Sequence, residues 1–135
     1  MLGGEAVREM VKIPKEVVDM MSKNETSKVL ATADADGVPN AAAIWSLRVV
    51  GEDQIAFAEV AMKKTKENLL RTKRASVLVI SPPNKSFQLK GDFLGFQTSG
   101  PVFDGFAKAM AAMKMTVHAI GMIKINEVYE FPPRA

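Results

Sequence analysis

Residues 86–98 read as a single strand of unusual length, with Gly91 and Gly95 in its interior. Ordinary strands run about five or six residues. A glycine inside one marks a bulge, a barrel corner or a close approach of another group. A strand this long, bent at two glycines, suits a sheet that curls on itself better than a flat one.

The flanking pattern agrees. Residues 14–23 carry Val17, Val18, Met20 and Met21 on one helical face, and Pro14 suits a first turn. Residues 27–34 read as a strand, Asp36-Gly37 as a tight turn, and 39–50 as a second, long strand. Gly51-Glu52-Asp53 turns the chain into a third strand at 54–60. A helix is expected from Thr65 to about Lys73. A strand at 75–81 follows, apolar enough to be buried on both faces, and Pro82-Pro83-Asn84 ends it. After the long strand come a helix at 101–115 and a last strand at 119–130, with Pro132-Pro133 ending regular structure. The expected fold is mainly β with flanking helices, a single domain over 1–135. Six strands form a closed or nearly closed barrel with helices at its ends and flanks.

Composition narrows the chemistry. The chain has 135 residues and no cysteine, which removes disulfides, thiolate metal sites and a Cys nucleophile. His118 is the one histidine, with no metal-ligand spacing and no triad partners nearby. It reads as structural or interfacial, and no metal site is expected. Gly-x-Gly-x-x-Gly and P-loop patterns are absent. No apolar run is long enough to span a bilayer or serve as a signal peptide, so the expected compartment is the cytoplasm. Met110 and Met113 share helical spacing with Phe103 and Phe106, as a core or dimer contact would.

Charge is concentrated. Lys63, Lys64, Lys66, Arg71, Lys73 and Arg74 are offset only by Glu67. A solvated helix face, an anion site and a nucleic-acid surface all fit such a run. The stretch has no aromatic residue to stack a base, which disfavours nucleic acid. Thr65 is placed as the N-cap, with Asn68 three residues on. Cations at a helix N-terminus oppose the dipole, and a bound phosphate would resolve that conflict. The alanine run before Trp45, with Ala56 and Ala58 on the next strand, calls for something packed closely. A flat ligand, a helix or another subunit would each serve.

These residues resemble the FMN-binding split-barrel family related to pyridoxamine 5′-phosphate oxidase, especially its small stand-alone FMN-binding proteins. Three segments carry the resemblance: Met62-Lys63-Lys64-Thr65-Lys66-Glu67-Asn68, Phe87-Gln88-Leu89-Lys90-Gly91 with Phe96 to Pro101, and Trp45 after its alanine run. The resemblance implies a six-stranded split β-barrel that binds FMN at a homodimer interface. Lys64 and Thr65 would hold the phosphate, with Asn68 on the same turn. The backbone at Ala42, Ala43 and Ile44 would face the ring's polar edge, with Trp45 beside it. Val60, Ala61 and Met62 would cover one side. Gln88 and Lys90 would reach the flavin from the fifth strand or from the partner subunit. The alanines replace polar residues of some relatives, and the strand arginines that bind pyridoxamine phosphate are missing, so that oxidase activity is not expected.

The expected function is therefore an FMN-dependent oxidoreductase or electron-transfer protein, drawing electrons from NAD(P)H or a protein donor. Lys90 is the expected cation near the ring's N1–C2 edge. The alternative is a non-catalytic module that carries flavin, deazaflavin or haem. Neither a nucleic acid nor a membrane is an expected partner.

Overall fold

The computed structural model describes residues 12–131. Its elements are α1 (Lys15–Met21), β1 (Ser27–Ala33), β2 (Pro39–Ala43), β3 (Arg48–Val49), β4 (Gln54–Glu59), α2 (Lys63–Thr72), β5 (Arg74–Ser81), β6 (Lys85–Gln97), α3 (Pro101–Ala111) and β7 (Ala119–Phe131). All seven strands belong to one antiparallel sheet in the order β2-β1-β5-β6-β7-β4-β3. The strand number departs from the expected barrel. The strand expected at 39–50 breaks at residues 44–47 and supplies both edges of the sheet.

That break closes the structure. Six inter-strand gaps of about 4.8 Å would hold the edges of a flat sheet about 29 Å apart. Five residue steps from Ala43 to Arg48 span at most about 18 Å. The sheet must curl until its edges approach. Ile44 and Leu47 turn inward and are buried, while Trp45 between them stays 47% exposed. The Ile44 N–H donates to the Lys28 carbonyl (3.0 Å), and the Leu47 N–H to that of Ile44 (3.3 Å). Lys28 Nζ donates to the Met21 and Leu47 carbonyls, 3.1 Å each, tying the end of α1 to the crossing. Burial and the Arg48 charge both lower the Lys28 pKa.

The two glycines of β6 do what a curved strand requires. The β6–β7 register slips between Lys90 and Gly91 and again between Phe93 and Gly95. Gly95 has φ +122°, a conformation L side chains rarely adopt. Gly91 packs so tightly on β7 that a Cβ would run into the Lys124 carbonyl oxygen.

Two apolar clusters result. Val17, Met20 and Met21 of α1 and Leu69 of α2 plug the barrel interior around Leu30, Phe57, Leu89 and Ile123. Outside, α3 lays Phe106 and Met110 on Ala56, Ala58, Ile120 and Met122. Ala56 and Ala58 are thus small to admit a helix, and they pair across β4–β7 and β3–β4, away from the alanines of β2. The strand at 74–81 is buried on one face only: Ala75, Val77 and Val79 point inward, and Ile80 is 40% exposed. No described helix covers its other face.

Gly91→Ala is expected to lower the unfolding free energy by about 2–3 kcal/mol, the scale of overpacking against backbone. Gly105 lies within α3, and nothing stands within 4 Å of where its Cβ would be. Gly105→Ala is expected to raise the unfolding free energy by about 0.5–1 kcal/mol. Urea denaturation of both variants checks the contrast.

Candidate functional site

The amide and hydroxyl side chains of α2 recur at helical spacing. Thr65, Asn68 and Thr72 lie on one face with Leu69, and that face sits on the β1–β2 hairpin. Asn40 Nδ2 donates to Thr65 Oγ1 (3.1 Å), and Asn68 Nδ2 to Thr32 Oγ1 (3.0 Å). Thr72 Oγ1 donates to the carbonyls of Ala33 (3.1 Å) and Asn68 (2.9 Å). Asn68 and Thr32 are buried, so the bond between them is sheltered from water, while the Asn40–Thr65 and Thr72 bonds are half-buried.

The helix starts two residues earlier than the sequence suggests. Its N-cap is Met62, and no side chain caps it. Thr65 occupies the third helical position, its hydroxyl oxygen already accepting from Asn40. Its hydroxyl proton therefore remains available to donate. The first-turn N–H groups of Lys63, Lys64 and Thr65 lack intrahelical acceptors. No acidic residue stands in that turn, and Lys63 and Lys64 are exposed there. This end of α2 offers backbone donors, a hydroxyl donor and two ammonium groups to an anion, which is the donor set a phosphate monoester takes.

Beside it, the β1–β2 turn and α2 enclose a cavity of ≈ 500 Å³ lined by Asp34, Asp36, Lys64, Glu67, Asn68 and Arg71, among others. Asp34 Oδ1 accepts the N–H groups of Asp36 and Val38, each at 2.9 Å. The Val38 N–H foremost, with the Lys64 charge contributing, holds the Asp34 carboxyl below its ordinary value.

The other sequence-selected residues fall into three places. Ala42 leans on the interior core, and Ile44 is buried within it. Met62 also packs on that core, and Ala61 is exposed with φ +50°. Trp45 borders an apolar cavity beside α3, and Val60 packs on the α3 cluster. Ala43, Gln88 and Lys90 lie on the uncovered outer face of the sheet. One row there runs Ala43, Val29, Leu78, Gln88, Tyr129; the next runs Ala41, Ala31, Ser76, Lys90, Glu127. Gln88 Nε2 donates to Ser76 Oγ (3.1 Å), Lys90 Nζ stands 5.2 Å from the Tyr129 ring centroid, and the Tyr129 hydroxyl donates to Glu127. Three strand spacings, about 14 Å, separate Gln88 from Ala43 along its row. Within one protomer Ala43 and Gln88 are thus separate places, while Lys90 lines a cavity with Ala31, Thr32 and Ala33 of β1.

Asn40, Thr32 and Ser46 are not singled out by the sequence pattern. Thr65, Asn68 and Thr72 at i, i+3 and i+7, on the same face as Leu69, carry a signal for the first two. His118 is exposed just before β7. Among the described residues no group of three or more His, Cys, Asp or Glu is placed to hold a metal. No described helix is long and apolar enough to cross a membrane.

Residues 13–131 match the pyridoxamine 5′-phosphate oxidase family. The chain belongs to that family. An uncharacterized protein of Methanocaldococcus jannaschii is 28% identical over 124 residues, 89% of this chain and 81% of that protein. Among solved structures, HupZ of Group A Streptococcus superposes with a TM-score of 0.80 at 20% identity, covering 91% of this chain and 97% of that one. An FMN-binding protein from Syntrophomonas wolfei gives 0.77 at 20% identity, with 90% of each chain covered. The same fold also carries an F420 reductase (0.65, 15% identity, 86% and 98% covered) and the haem storage protein HutZ of Vibrio cholerae (0.60, 13%, 93% of each). These likenesses establish the split-barrel architecture.

Asn68→Ala is expected to cost about 1–3 kcal/mol, because it strands the buried Thr32 hydroxyl. Thr32→Val combined with it should cost less than the two singly, as urea denaturation would show. Asp34 also predicts a pH effect. Its folded carboxyl titrates below the ordinary 3.8. The stability it contributes is therefore complete above that value and disappears as pH falls through the folded pKa. Asp34→Asn should flatten the loss of stability between about pH 5 and 2 relative to the parent protein, measured by urea midpoints across that range.

Proposed function

We propose that this chain is an FMN-binding flavoprotein of the oxidoreductase or electron-transfer kind, completed as a homodimer. The observation that carries the reading is the N-terminus of α2: uncapped, free of acidic residues in its first turn, flanked by Lys63 and Lys64, and fixed to the hairpin by Asn40 and Thr65. A cationic helix start is unfavourable alone and favourable with a dianionic phosphate against it. Membership of the pyridoxamine 5′-phosphate oxidase family and the likeness to a protein that binds FMN support flavin as the owner of that phosphate.

In this reading Lys64 and Thr65 bind the phosphate, and Asn68 holds their turn against β1. Ala42, Ala43, Ile44 and Trp45 border the ring on one side, and Val60, Ala61 and Met62 on the other. Gln88 and Lys90 act from the outer sheet face, which a second copy would bring to the flavin. The uncovered rows of small side chains on β1 and β2 favour such a second copy: Ala31, Ala33, Ala41 and Ala43 let another surface approach closely. FMN would supply electron or hydride transfer, and the chain would supply orientation, charge and exclusion of water. A cationic Lys90 near the ring would favour its reduced, anionic form. A cytoplasmic location and an NAD(P)H or protein electron donor belong to the same proposal. The second reading is a carrier without turnover for flavin, deazaflavin or haem, favoured by the F420 reductase and haem storage proteins that share the fold.

Titration of the purified protein with FMN, followed by quenching of flavin fluorescence, tests the proposal. Saturable binding is expected, and no uptake would sink it. Lys64→Ala should weaken binding by about 1.5–3 kcal/mol, the scale of a charge-assisted hydrogen bond. Bleaching of bound flavin by NADH or NADPH under anaerobic conditions would favour turnover over carriage. Sedimentation at several concentrations reads the dimer.

A further inference from the structure

A cavity of ≈ 370 Å³ opens between α3 and the crossing segment, in the size range of small-molecule sites. Its walls are mostly apolar: Trp45 and Val50 face Val102, Phe106 and Met110. Two polar groups interrupt them. Ser46, Arg48 and Val50 alternate along the chain and all line the cavity, as strand periodicity allows. Ser46 is buried, and its Oγ accepts the Ala58 N–H at 2.9 Å. Its hydroxyl proton is left to donate. The Arg48 guanidinium has no ion-pair partner among the described residues, and its charge adds to that of nearby Lys28 rather than being offset. Apolar walls with two donors at one side and no carboxylate in the lining call for a ligand with the opposite arrangement.

We propose that this cavity binds a small apolar carboxylate, its hydrocarbon or aromatic body against Trp45, Phe106 and Met110 and its carboxylate at Arg48 and Ser46. A neutral apolar molecule would gain the walls but nothing from the exposed Arg48 guanidinium. A more polar anion would forgo the walls. Trp45 lines the cavity, and Val60 packs on the cluster that includes Phe106 and Met110. Both belong to the set assigned above to the flavin's surroundings. If the FMN reading holds, the carboxylate therefore sits beside the flavin. That second step rests on the FMN reading; the binding of the carboxylate does not.

Trp45 is the chain's single tryptophan and reports occupancy directly. The full chain, free of flavin, is titrated with 4-phenylbutyrate and separately with 4-phenylbutanol while Trp45 emission is followed. A saturable change with tighter binding of the acid is expected. Arg48→Gln should weaken the acid roughly tenfold or more and leave the alcohol unchanged. Gly105→Leu, which extends a side chain from α3 into the cavity, should abolish both while unfolding stays cooperative; Arg48→Gln decides alone if that variant does not fold. No saturable change, equal affinity for acid and alcohol, or an Arg48→Gln variant that binds the acid normally would overturn the proposal. So would direct competition between FMN and phenylbutyrate, which would make the cavity the flavin's own. Phenylbutyrate binding in a protein that takes up no FMN would support the cavity and remove only the flavin reading.

Discussion

Four residues, Ile44 to Leu47, join the two edges of a seven-stranded sheet, and the rest of the structure follows from that short joint. It forces the sheet to curl, creates an interior for α1 and α2 to plug, and aims its own side chains in different directions. Ile44 and Leu47 enter the core, Ser46 ties to β4, and Trp45 is left facing α3. Lys28 holds the joint to the end of α1. A strand that ran straight through these positions would have left the barrel open and Trp45 on a sheet face.

Curling divides the outer surface. One half, over β4 and β7, is covered by α3 and backed by the small residues Ala56 and Ala58. The other half, over β2, β1, β5 and β6, has no described helix on it and presents alanines beside a hydrogen-bonded polar patch. The same residue type therefore serves different ends on neighbouring strands. Alanine on β4 admits a helix from the same chain, whereas alanine on β2 leaves room for something the chain does not itself supply.

Element identity is legible in the sequence because hydrophobic period and turn residues act locally. The two glycines of β6 announce its bends, and Pro101 announces the start of α3. The joint is not legible: Ala-Ala-Ala-Ile-Trp-Ser-Leu-Arg-Val-Val continues a strand pattern, and only the buried partners of Ile44, Ser46 and Leu47 explain the break. The start of α2 is hidden for a related reason. Thr65 resembles an N-cap in sequence, yet the helix begins at Lys63, and the Thr65 oxygen accepts from Asn40, 25 positions earlier. Asn40 itself has no local signature. The lysines are visible at once, but the distance between Ala43 and Gln88 depends on strand order, which no short segment encodes.

The polar face of α2 sets what its charged end can do. A buried hydrogen bond to Thr32 and half-buried ones to Ala33 and Asn40 fix the helix on the hairpin in one position, since a shift would strand several polar atoms at once. A helix held only by Leu69 could slide; one held by three directional contacts cannot without cost. The N-terminal donors are thereby pre-organised, so little ordering remains to oppose an arriving anion. Lys63 and Lys64 then add attraction without needing to be rigid themselves, because a point charge on a flexible stem tolerates variation in where the anion sits. Position comes from the buried amides and hydroxyls, and affinity from the exposed ammonium groups. The helix withstands the conflict between its cations and its dipole because the buried face, not the end, stabilises it.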